Sequence, residues 1–432
     1  MFNIQKRTLK FIAIFLSFLA IAILMPSPFA YLPDASVQTS EASDPLCDTE
    51  HECGSGCATE AGFAEAGIAS ASGASMHNPD FDSEYEPAPL LEPENQYEDE
   101  ALRESLPESG SESELDELSE PELEADSVVT ITISAAGDIT LGGCPVRGSY
   151  YVFMGEFEEI GRDYSYFLRN VRHIFMDDDL TIVNFEGTLT SETVHRGNPF
   201  NFRAAPSFAK VLSSSGVEAA TLANNHSGDF LEAGYLDTQE NLEAEGIAFF
   251  GNETNAVLKV NGVNIGLYGF LTWNDTQEHR SQVIAATNEL KERGADLIIA
   301  YFHWGIETHY RPTSDQQSLG RFAIDNGADL VLGAHPHVLQ GIEVYKDRNI
   351  VYSLANFSFG GNRNPFDMDS FIFQQTFTFE NGLLLETNET NIIPIRTTSA
   401  LSHNNYQPTI AQGQAAERIL GLIESLSDEL NR

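Results

Sequence analysis

The sequence predicts a mixed α/β (α+β layered) domain with a polar site at one edge of its sheets. Three observations lead to this prediction. From Val128 onwards, apolar runs typical of strands alternate with segments of helical spacing, as in βαβ units. Two Asn-Gly pairs between apolar runs indicate hairpins, and therefore some antiparallel strands. Five apolar runs end in Asp, Glu, Asn or His, and α/β sheets bind ligands at the carboxyl ends of their strands.

The elements follow from the periodicity of the apolar residues and from their end signals. Strands are predicted at 128–134, 180–183, 219–222, 297–302 and 329–332, and helices at 164–175, 206–215, 231–245, 281–293 and 314–325. The hairpin turns are Asn261-Gly262 and Asn381-Gly382. The stretch 410–430 has the pattern of an amphipathic helix, which either packs on the domain or extends from it. We therefore expect a folded domain at 128–396, with helices on both sheet faces, and a helical extension at 397–432.

The first residues, 1–31, have the features of a signal anchor or a signal peptide. Lys6, Arg7 and Lys10 precede the apolar run from Phe11 to Met25. The run is short for a membrane span, but the residues after it extend the apolar stretch, and no clean small-x-small cleavage site follows. We therefore favour an uncleaved anchor, with the domain outside a single-pass cell membrane. The alternative is cleavage and secretion.

The segment 32–127 predicts an acidic, disordered tether. Between residues 41 and 126 there are 26 Asp or Glu residues, against one basic residue, Arg103. Such a segment repels itself and buries too little apolar surface to fold. The formal net charge of the chain is −42, which argues against nucleic acid as a partner because phosphate backbones are bound by Lys and Arg.

The turn after the strand at 329–332 contains His335 and His337. On an extended turn, residues i and i+2 project to opposite sides, so one segment can offer nitrogens to two neighbouring metal ions. The ends of the other strands supply further carboxylate, amide and imidazole groups. These are Asp138, Asn184, Glu186, Asn224, Asn225, His226, His303 and Glu307.

Six motifs in a fixed order carry a family resemblance. They are Gly137-Asp138, Asn184-Phe185-Glu186-Gly187, Ala223-Asn224-Asn225-His226, His303-Trp304-Gly305-Ile306-Glu307, Gly333-Ala334-His335-Pro336-His337 and Tyr352-Ser353-Leu354-Ala355-Asn356-Phe357. Over roughly residues 130–395 the chain resembles the CapA capsule-synthesis family, also called the poly-γ-glutamate synthesis protein family. That family is in turn similar to calcineurin-like metallophosphoesterases. The resemblance implies a four-layer αββα sandwich of mixed sheets with a dinuclear metal centre.

The resemblance also implies roles for the motif residues. Asp138 and His337 would hold the first metal ion, Glu186 would bridge both ions, and His226 would be the general acid. The second ion would be held by Asn225, His303 and His335. One or two divalent ions, Mn, Zn, Fe or Mg, suit this set of ligands. The residues expected to contact substrate or to position the ligands are Asn184, Asn224, Asp229, Glu307 and Asn356.

Two of these residues have alternative interpretations. Asp229 could orient His226 or cap the helix that starts near Phe230, and the cap is slightly favoured. Glu307 could hold His303 in place or be a surface carboxylate.

Three residues depart from the pattern of the related families. Thr140 stands where the phosphoesterases have a metal-binding His, so the first ion would lose an imidazole. Glu186 replaces the usual bridging Asp and is longer by one methylene. Ala355 replaces the Gly of the CapA motif.

Three hypotheses for the function follow. The first is a membrane-anchored, metal-dependent hydrolase or transferase that acts on an anionic surface polymer, in contact with other membrane proteins of polymer synthesis. The second is a non-catalytic component of a polymer synthesis or export complex. The third is a general phosphoesterase.

Overall fold

The computed structural model describes residues 128–385 and 389–432. The predicted anchor at 1–31 and tether at 32–127 lie outside the described residues. Within those ranges, no helix combines the length and apolar character that a membrane span requires.

The strands of the described ranges are numbered in chain order. They are β1 (Val128–Thr140), β2 (Leu180–Phe185), β3 (Thr188–Leu189), β4 (Arg203–Ala204), β5 (Ala219–Thr221), β6 (Ala248–Phe250), β7 (Ala256–Val260), β8 (Val263–Thr272), β9 (Leu297–Trp304), β10 (Leu330–Ala334), β11 (Ile342–Tyr345), β12 (Arg348–Val351), β13 (Asn356–Phe359), β14 (Asp369–Glu380), β15 (Leu383–Leu384), β16 (Glu389–Arg396) and β17 (Thr409–Ile410).

The helices are numbered in the same way. They are α1 (Ser149–Glu159), α2 (Arg172–Asp177), α3 (Ala209–Ser213), α4 (Leu231–Ala244), α5 (Gln277–Glu292), α6 (Ser314–Asp325) and α7 (Gln414–Leu430). Short 3-10 turns lie at Tyr164–Tyr166 and Pro206–Phe208.

Most of the strands form two mixed sheets. The first sheet has the order β17-β16-β14-β1-β2-β5-β6, with β13 also paired to β1 and β15 to β14. In it β1, β2, β5 and β6 are parallel, whereas β14 is antiparallel to β1. The second sheet has the order β11-β12-β10-β9-β8-β7. Its strands β8, β9, β10 and β12 are parallel, and β7 and β8 form the hairpin predicted at Asn261-Gly262.

The burial pattern of the strands shows how the layers are stacked. In β9, Leu297, Ile299 and Tyr301 face the apolar core between the two sheets, whereas Ile298 and Phe302 face α5 and α6. This alternation is the period of two that side chains have along a strand. On the outer face of the first sheet, another apolar core contains residues of α1 to α4. The order of layers is helices, sheet, sheet, helices, which confirms the predicted four-layer αββα arrangement.

The C-terminal helix α7 packs on the domain. Ile419, Ile423 and Leu426 are buried, and the first two join the core between the sheets. Ser427 Oγ accepts a hydrogen bond from the backbone N–H of Ile342 at 2.9 Å, which ties the helix to β11. The helix begins at Gln414 rather than at residue 410, because Thr409–Ile410 pair with β16.

One predicted helix was wrong. The segment 164–175 is not a continuous helix, since a 3-10 turn and successive i to i+3 hydrogen bonds precede the short α2. Its apolar residues Phe167, Leu168 and Val171 are nevertheless buried. The helical spacing therefore reflected burial of these side chains, not an unbroken helix. Helix α1 and the strands β11 to β13 were not predicted from the sequence.

We expect α7 to contribute to the stability of the domain. Ile423→Ala should lower the free energy of unfolding by about 2–5 kcal/mol, because it leaves a cavity in the core between the sheets. Leu420→Ala, on the same helix but 39% exposed, should change it by less than roughly 1 kcal/mol. Chemical denaturation of both variants would measure this, and equal effects would contradict the observed packing of α7.

Candidate metal centre

The polar residues at the strand ends meet where both sheets present the carboxyl ends of their parallel strands. Asp138 is paired in register with Asn184 of β2 and with Asn356 of β13. In the second sheet, the last residue of β10 lies opposite His303 of β9, and His335 follows directly. The site is therefore built from both sheets, and the core between them sets its width.

A close backbone approach positions Asp138. Its N–H donates a hydrogen bond to the carbonyl of Ala355 at 2.9 Å. A side chain on Gly137 would place Cβ only 1.9 Å from the same carbonyl oxygen, so only glycine fits there. Ala355 itself has φ of 62°, in the left-handed region that glycine adopts more easily. This backbone conformation explains why the related family has glycine at the position of Ala355.

Two carboxylates form the floor of the site. Asp138 and Glu186 are fully buried, and their atoms Oδ2 and Oε1 accept no hydrogen bond from any described residue. His337 approaches both, with Nδ1 3.0 Å from Asp138 Oδ2 and Nε2 3.8 Å from Glu186 Oε1. The hydrogen bond of His337 Nδ1 goes to Asn356 Oδ1 at 2.9 Å.

The protonation of this cluster follows from its burial and charge. Burial raises the pKa of Glu186 to about 7, and the neighbouring charge of Asp138 adds to the increase. Burial alone would lower the pKa of His337, but the charges of Glu186 and Asp138 outweigh it and raise this pKa to about 10. Without a bound metal ion, a protonated His337 would neutralise part of the charge of the two carboxylates, whereas as a metal ligand its imidazole must be neutral.

The turn that carries both histidines is not extended as predicted, since His335 has φ of 99° and His337 of 56°. His335 is 6% exposed, its Nδ1 has no hydrogen-bond partner among the described residues, and burial lowers its pKa to about 4. Glu307 lies beside the turn. Ligand atoms of Glu307, His335 and His337 lie within 4.8 Å of one another. The N–H of Thr308, itself at φ of 62°, donates to the Pro336 carbonyl and fixes this neighbourhood.

A chain of amide hydrogen bonds links the two sheets. Asn184 Nδ2 donates to Asp138 Oδ1 at 2.7 Å and lies 3.2 Å from His303 Nδ1. The other ring nitrogen of His303, Nε2, lies 2.7 Å from Asn225 Oδ1 and 3.7 Å from Glu186 Oε1. Burial lowers the pKa of His303 well below its usual value, so its ring is neutral.

His226 is oriented by a carboxylate. Its Nδ1 lies 2.7 Å from Asp229 Oδ2, which also accepts the N–H of Phe202 at 2.7 Å. Burial alone would lower the pKa of His226, but the hydrogen bond to Asp229 and the charge of Glu186 outweigh it and raise the pKa. The ring of Phe202 packs on the imidazole at 4.3 Å between centroids. Helix α4 has no side-chain cap, so Asp229 orients His226 instead of capping the helix.

Asn224 and Thr140 make hydrogen bonds to residues of the centre. Asn224 Nδ2 donates to Asn184 Oδ1 at 3.0 Å and to the Phe185 carbonyl at 2.8 Å. Its Oδ1 accepts the N–H of His226 at 3.1 Å, so Asn224 shapes the turn that presents His226. Thr140, at the position of the absent histidine, donates through Oγ1 to Glu186 Oε2 at 3.4 Å.

The site opens into a cavity of about 640 Å³. On one side the cavity is bordered by His226, Glu307, His337 and Asn356. The other walls come from residues of 147–152, 200–202 and 359–366. These walls were not predicted from the sequence, because they are loop residues that only the fold brings together.

The donor set fits a divalent cation. Ligand atoms of Asp138, Glu186 and His337 lie within 4.8 Å of one another. Two buried carboxylate oxygens and His335 Nδ1 lack hydrogen-bond partners among the described residues, and such groups are costly to bury unpaired. Carboxylate, amide and imidazole ligands together suit Mn, Zn, Fe or Mg.

Comparison with known proteins identifies the family. A family model described as "Bacterial capsule synthesis protein PGA_cap" matches residues 132–361, more than half of the 432-residue chain. The chain belongs to this family. The CapA resemblance carried by the six motifs is thereby confirmed, and so is the metallophosphoesterase-like fold that it implied.

Two relatives in this family come from Bacillus. The chain is 28% identical over 260 residues to "PGA biosynthesis protein CapA" of Bacillus subtilis (strain 168), covering 55% of this chain and 66% of that protein. It is 28% identical over 307 residues to "Capsule biosynthesis protein CapA" of Bacillus anthracis, covering 63% of this chain and 71% of that protein. The PGA_cap chain thus spans about two thirds of the length of these relatives.

We expect the two histidines of the turn to determine metal content. His335→Ala and His337→Ala should each lower the amount of bound metal, because each deletes an imidazole from the centre. His226→Ala should retain it, because His226 is oriented by Asp229 and is not assigned as a ligand. Elemental analysis of the full-length chain after reconstitution measures this. Equal metal loss in all three variants would contradict the assigned roles.

The strained backbone at Ala355 leads to a separate expectation. Ala355 and Ala220 are both fully buried, but only Ala355 has a positive φ. Ala355→Gly should therefore destabilise the domain by about 1–2 kcal/mol less than Ala220→Gly, since both lose a methyl group and only the first relieves strain. Thermal or chemical unfolding compares the two. An equal loss of unfolding free energy in the two variants would show that the backbone of Ala355 is not strained.

Proposed function

We propose that this PGA_cap protein is a metal-dependent hydrolase or transferase that acts on the anionic polymer of a capsule or poly-γ-glutamate pathway. The names of its Bacillus relatives support the pathway. The observation that carries the reaction class is the convergence of Asp138, Glu186 and His337 beside an oriented histidine, His226, at the end of a cavity. The geometry alone supports either hydrolysis or transfer.

The residues of the centre divide into two sets of ligands. Asp138 and His337 would hold one ion, and Asn225, His303 and His335 would hold the other, with Glu186 between them. Bound divalent ions supply Lewis-acid polarisation of an acyl or phosphoryl oxygen and lower the pKa of water. Glu307, which faces the cavity beside the turn histidines, would add a third carboxylate to the set.

His226 holds the proton that the leaving group needs. Because Asp229 is an acceptor at 2.7 Å from Nδ1, the proton of that nitrogen points to the carboxylate. The hydrogen bond to Asp229 and the charge of Glu186 raise the pKa of His226, which favours protonation of the second nitrogen, Nε2. A protonated Nε2 beside the cavity can donate to the oxygen or nitrogen that leaves when the polymer bond breaks. Phe202 packs on the ring and limits its rotation.

The apolar run that follows Lys6, Arg7 and Lys10 is the basis for the proposed location. An uncleaved anchor there would hold the catalytic domain outside the membrane on a tether at 32–127, where surface polymers are made. Other membrane proteins of polymer synthesis would then be its partners.

One observation favours a second function. Thr140 donates to Glu186 at 3.4 Å instead of supplying an imidazole, which leaves one ion with fewer ligands than in the related phosphoesterases. A chain with this weakened site could bind the polymer for a synthesis or export complex without turnover. Chain-length analysis of poly-γ-glutamate after incubation with the metal-loaded protein separates the two functions, because only the enzyme shortens or joins chains.

The role of His226 leads to a kinetic prediction. His226→Ala should lower the turnover of poly-γ-glutamate by about 10²–10⁴-fold, the usual range for loss of a general acid. The Asp229 hydrogen bond raises the pKa of His226, and the acid must be protonated. Asp229→Asn should therefore move the alkaline limb of the pH profile to lower pH. Polymer cleavage or joining, measured across pH by size-exclusion chromatography, tests both variants.

The matched control is His173→Ala, an exposed histidine on α2, which should leave the rate and the pH profile unchanged. If Asp229→Asn lowered the rate equally at every pH, Asp229 would be structural and the proposed acid would be wrong.

A further inference from the structure

The cavity beside the metal centre has an unusual charge for this protein. Residues 128–432 contain 38 Asp and Glu against 19 Lys and Arg. The walls of the cavity nevertheless contain two arginines, Arg147 and Arg363, and one carboxylate, Glu307. Since Glu307 lies with the turn histidines, the wall away from the centre is positively charged.

Neither arginine has a carboxylate partner among the described residues. Eight other arginines of the domain form ion pairs with Asp or Glu, namely Arg162, Arg169, Arg280, Arg293, Arg311, Arg321, Arg348 and Arg418. Other arginines, such as Arg172, also lack such a pair, but Arg147 and Arg363 both line the cavity. Two unpaired guanidinium groups on one cavity wall are available for an anionic ligand.

Arg147 is held in place without being neutralised. Its Nε donates to the carbonyl of Pro199 at 3.1 Å, and its guanidinium carbon lies 5.1 Å from the centre of the Phe200 ring. Both contacts fix the side chain, while no described residue accepts a hydrogen bond from its two Nη groups. A guanidinium group held in this way can bind a carboxylate through two parallel hydrogen bonds.

Arg363 lies on the loop that follows β13. The loop is fixed through Asn404, whose N–H donates to the Arg363 carbonyl at 2.9 Å and whose Nδ2 donates to the Phe359 carbonyl at 2.7 Å. The side chain of Arg363 is exposed and makes no hydrogen bond or ion pair with the described residues.

Exposed aromatic side chains line the same cavity. Phe200 is 47% exposed and Phe366 is 76% exposed, and both line the cavity. Exposed aromatic rings on a cavity wall are suited to covering the methylene groups of a ligand. The wall therefore matches a chain in which carboxylates alternate with short apolar spacers.

We infer that Arg147 and Arg363 bind successive carboxylates of a γ-linked polyglutamate chain and that Phe200 and Phe366 cover its methylene groups. This inference rests on the proposed function, because it places the polymer in the cavity that leads to the metal centre. It identifies specificity-determining residues outside the six sequence motifs.

Binding of a fluorescein-labelled γ-linked oligoglutamate to the full-length chain, measured by anisotropy, tests the inference. Arg147→Gln and Arg363→Gln should each weaken binding about tenfold, the effect of losing one charge-assisted pair. The dependence of affinity on salt should also become shallower in both variants. A γ-linked oligomer of the same length with its α-carboxyl groups amidated should bind weakly to every variant, because it has the same spacers without charge.

Arg172→Gln is the matched control. Arg172 is exposed, has no ion-pair partner among the described residues, and donates through Nε to a backbone carbonyl at 2.8 Å, as Arg147 does, but it lies on α2 away from the cavity. The substitution Arg172→Gln removes the same charge and should leave the affinity for the γ-linked oligoglutamate unchanged. Binding that is absent in the wild type, unaffected by both cavity variants, or weakened equally by Arg172→Gln would overturn the inference.

The inference about the two arginines and the proposed enzymatic function can fail independently of each other. If the metal-loaded protein does not alter chain length but the oligomer still binds through Arg147 and Arg363, the enzymatic function fails and the binding site stands. If chains are cleaved or joined while neither arginine affects affinity or KM, the function stands and this inference fails.

Discussion

The arrangement of the site depends on the burial of two carboxylates side by side. Asp138 and Glu186 lie on neighbouring strands of one sheet, fully buried, with one unpaired oxygen each. Like charges in a poorly solvated interior repel strongly. The amide of Asn184 donates a hydrogen bond to Asp138, and the charges of both carboxylates raise the pKa of His337. The surrounding groups are arranged to receive a positive charge at this point.

The two sheets have complementary roles in the centre. The first sheet supplies the acids and amides, and the second supplies the imidazoles of His303, His335 and His337. No single strand or loop contains the site, so its geometry is fixed by the apolar core between the sheets and by close contacts such as that of Gly137 with Ala355. A change in the packing of this core would therefore change the distances between the side chains of the centre.

The sequence was informative where a residue's role depends on local pattern. Apolar alternation located the main strands, and the polar residues at their carboxyl ends had to meet because parallel strands end at one edge. Prediction failed where tertiary contacts determine the local structure. The apolar spacing at 164–175 is satisfied by turns that bury the same side chains. No local pattern indicated the positive φ of His335 and His337, and the cavity walls combine loops distant in sequence.

The direction of β1 has a consequence for how the domain is presented. This strand runs from Val128 towards the centre and reaches it at Asp138, so the start of the domain lies roughly 30 Å from the ligands, at about 3.3 Å per residue. Whatever precedes Val128 enters the domain at the end of the first sheet opposite the cavity. An attachment made through residues before Val128 would therefore join the domain at a point remote from the cavity.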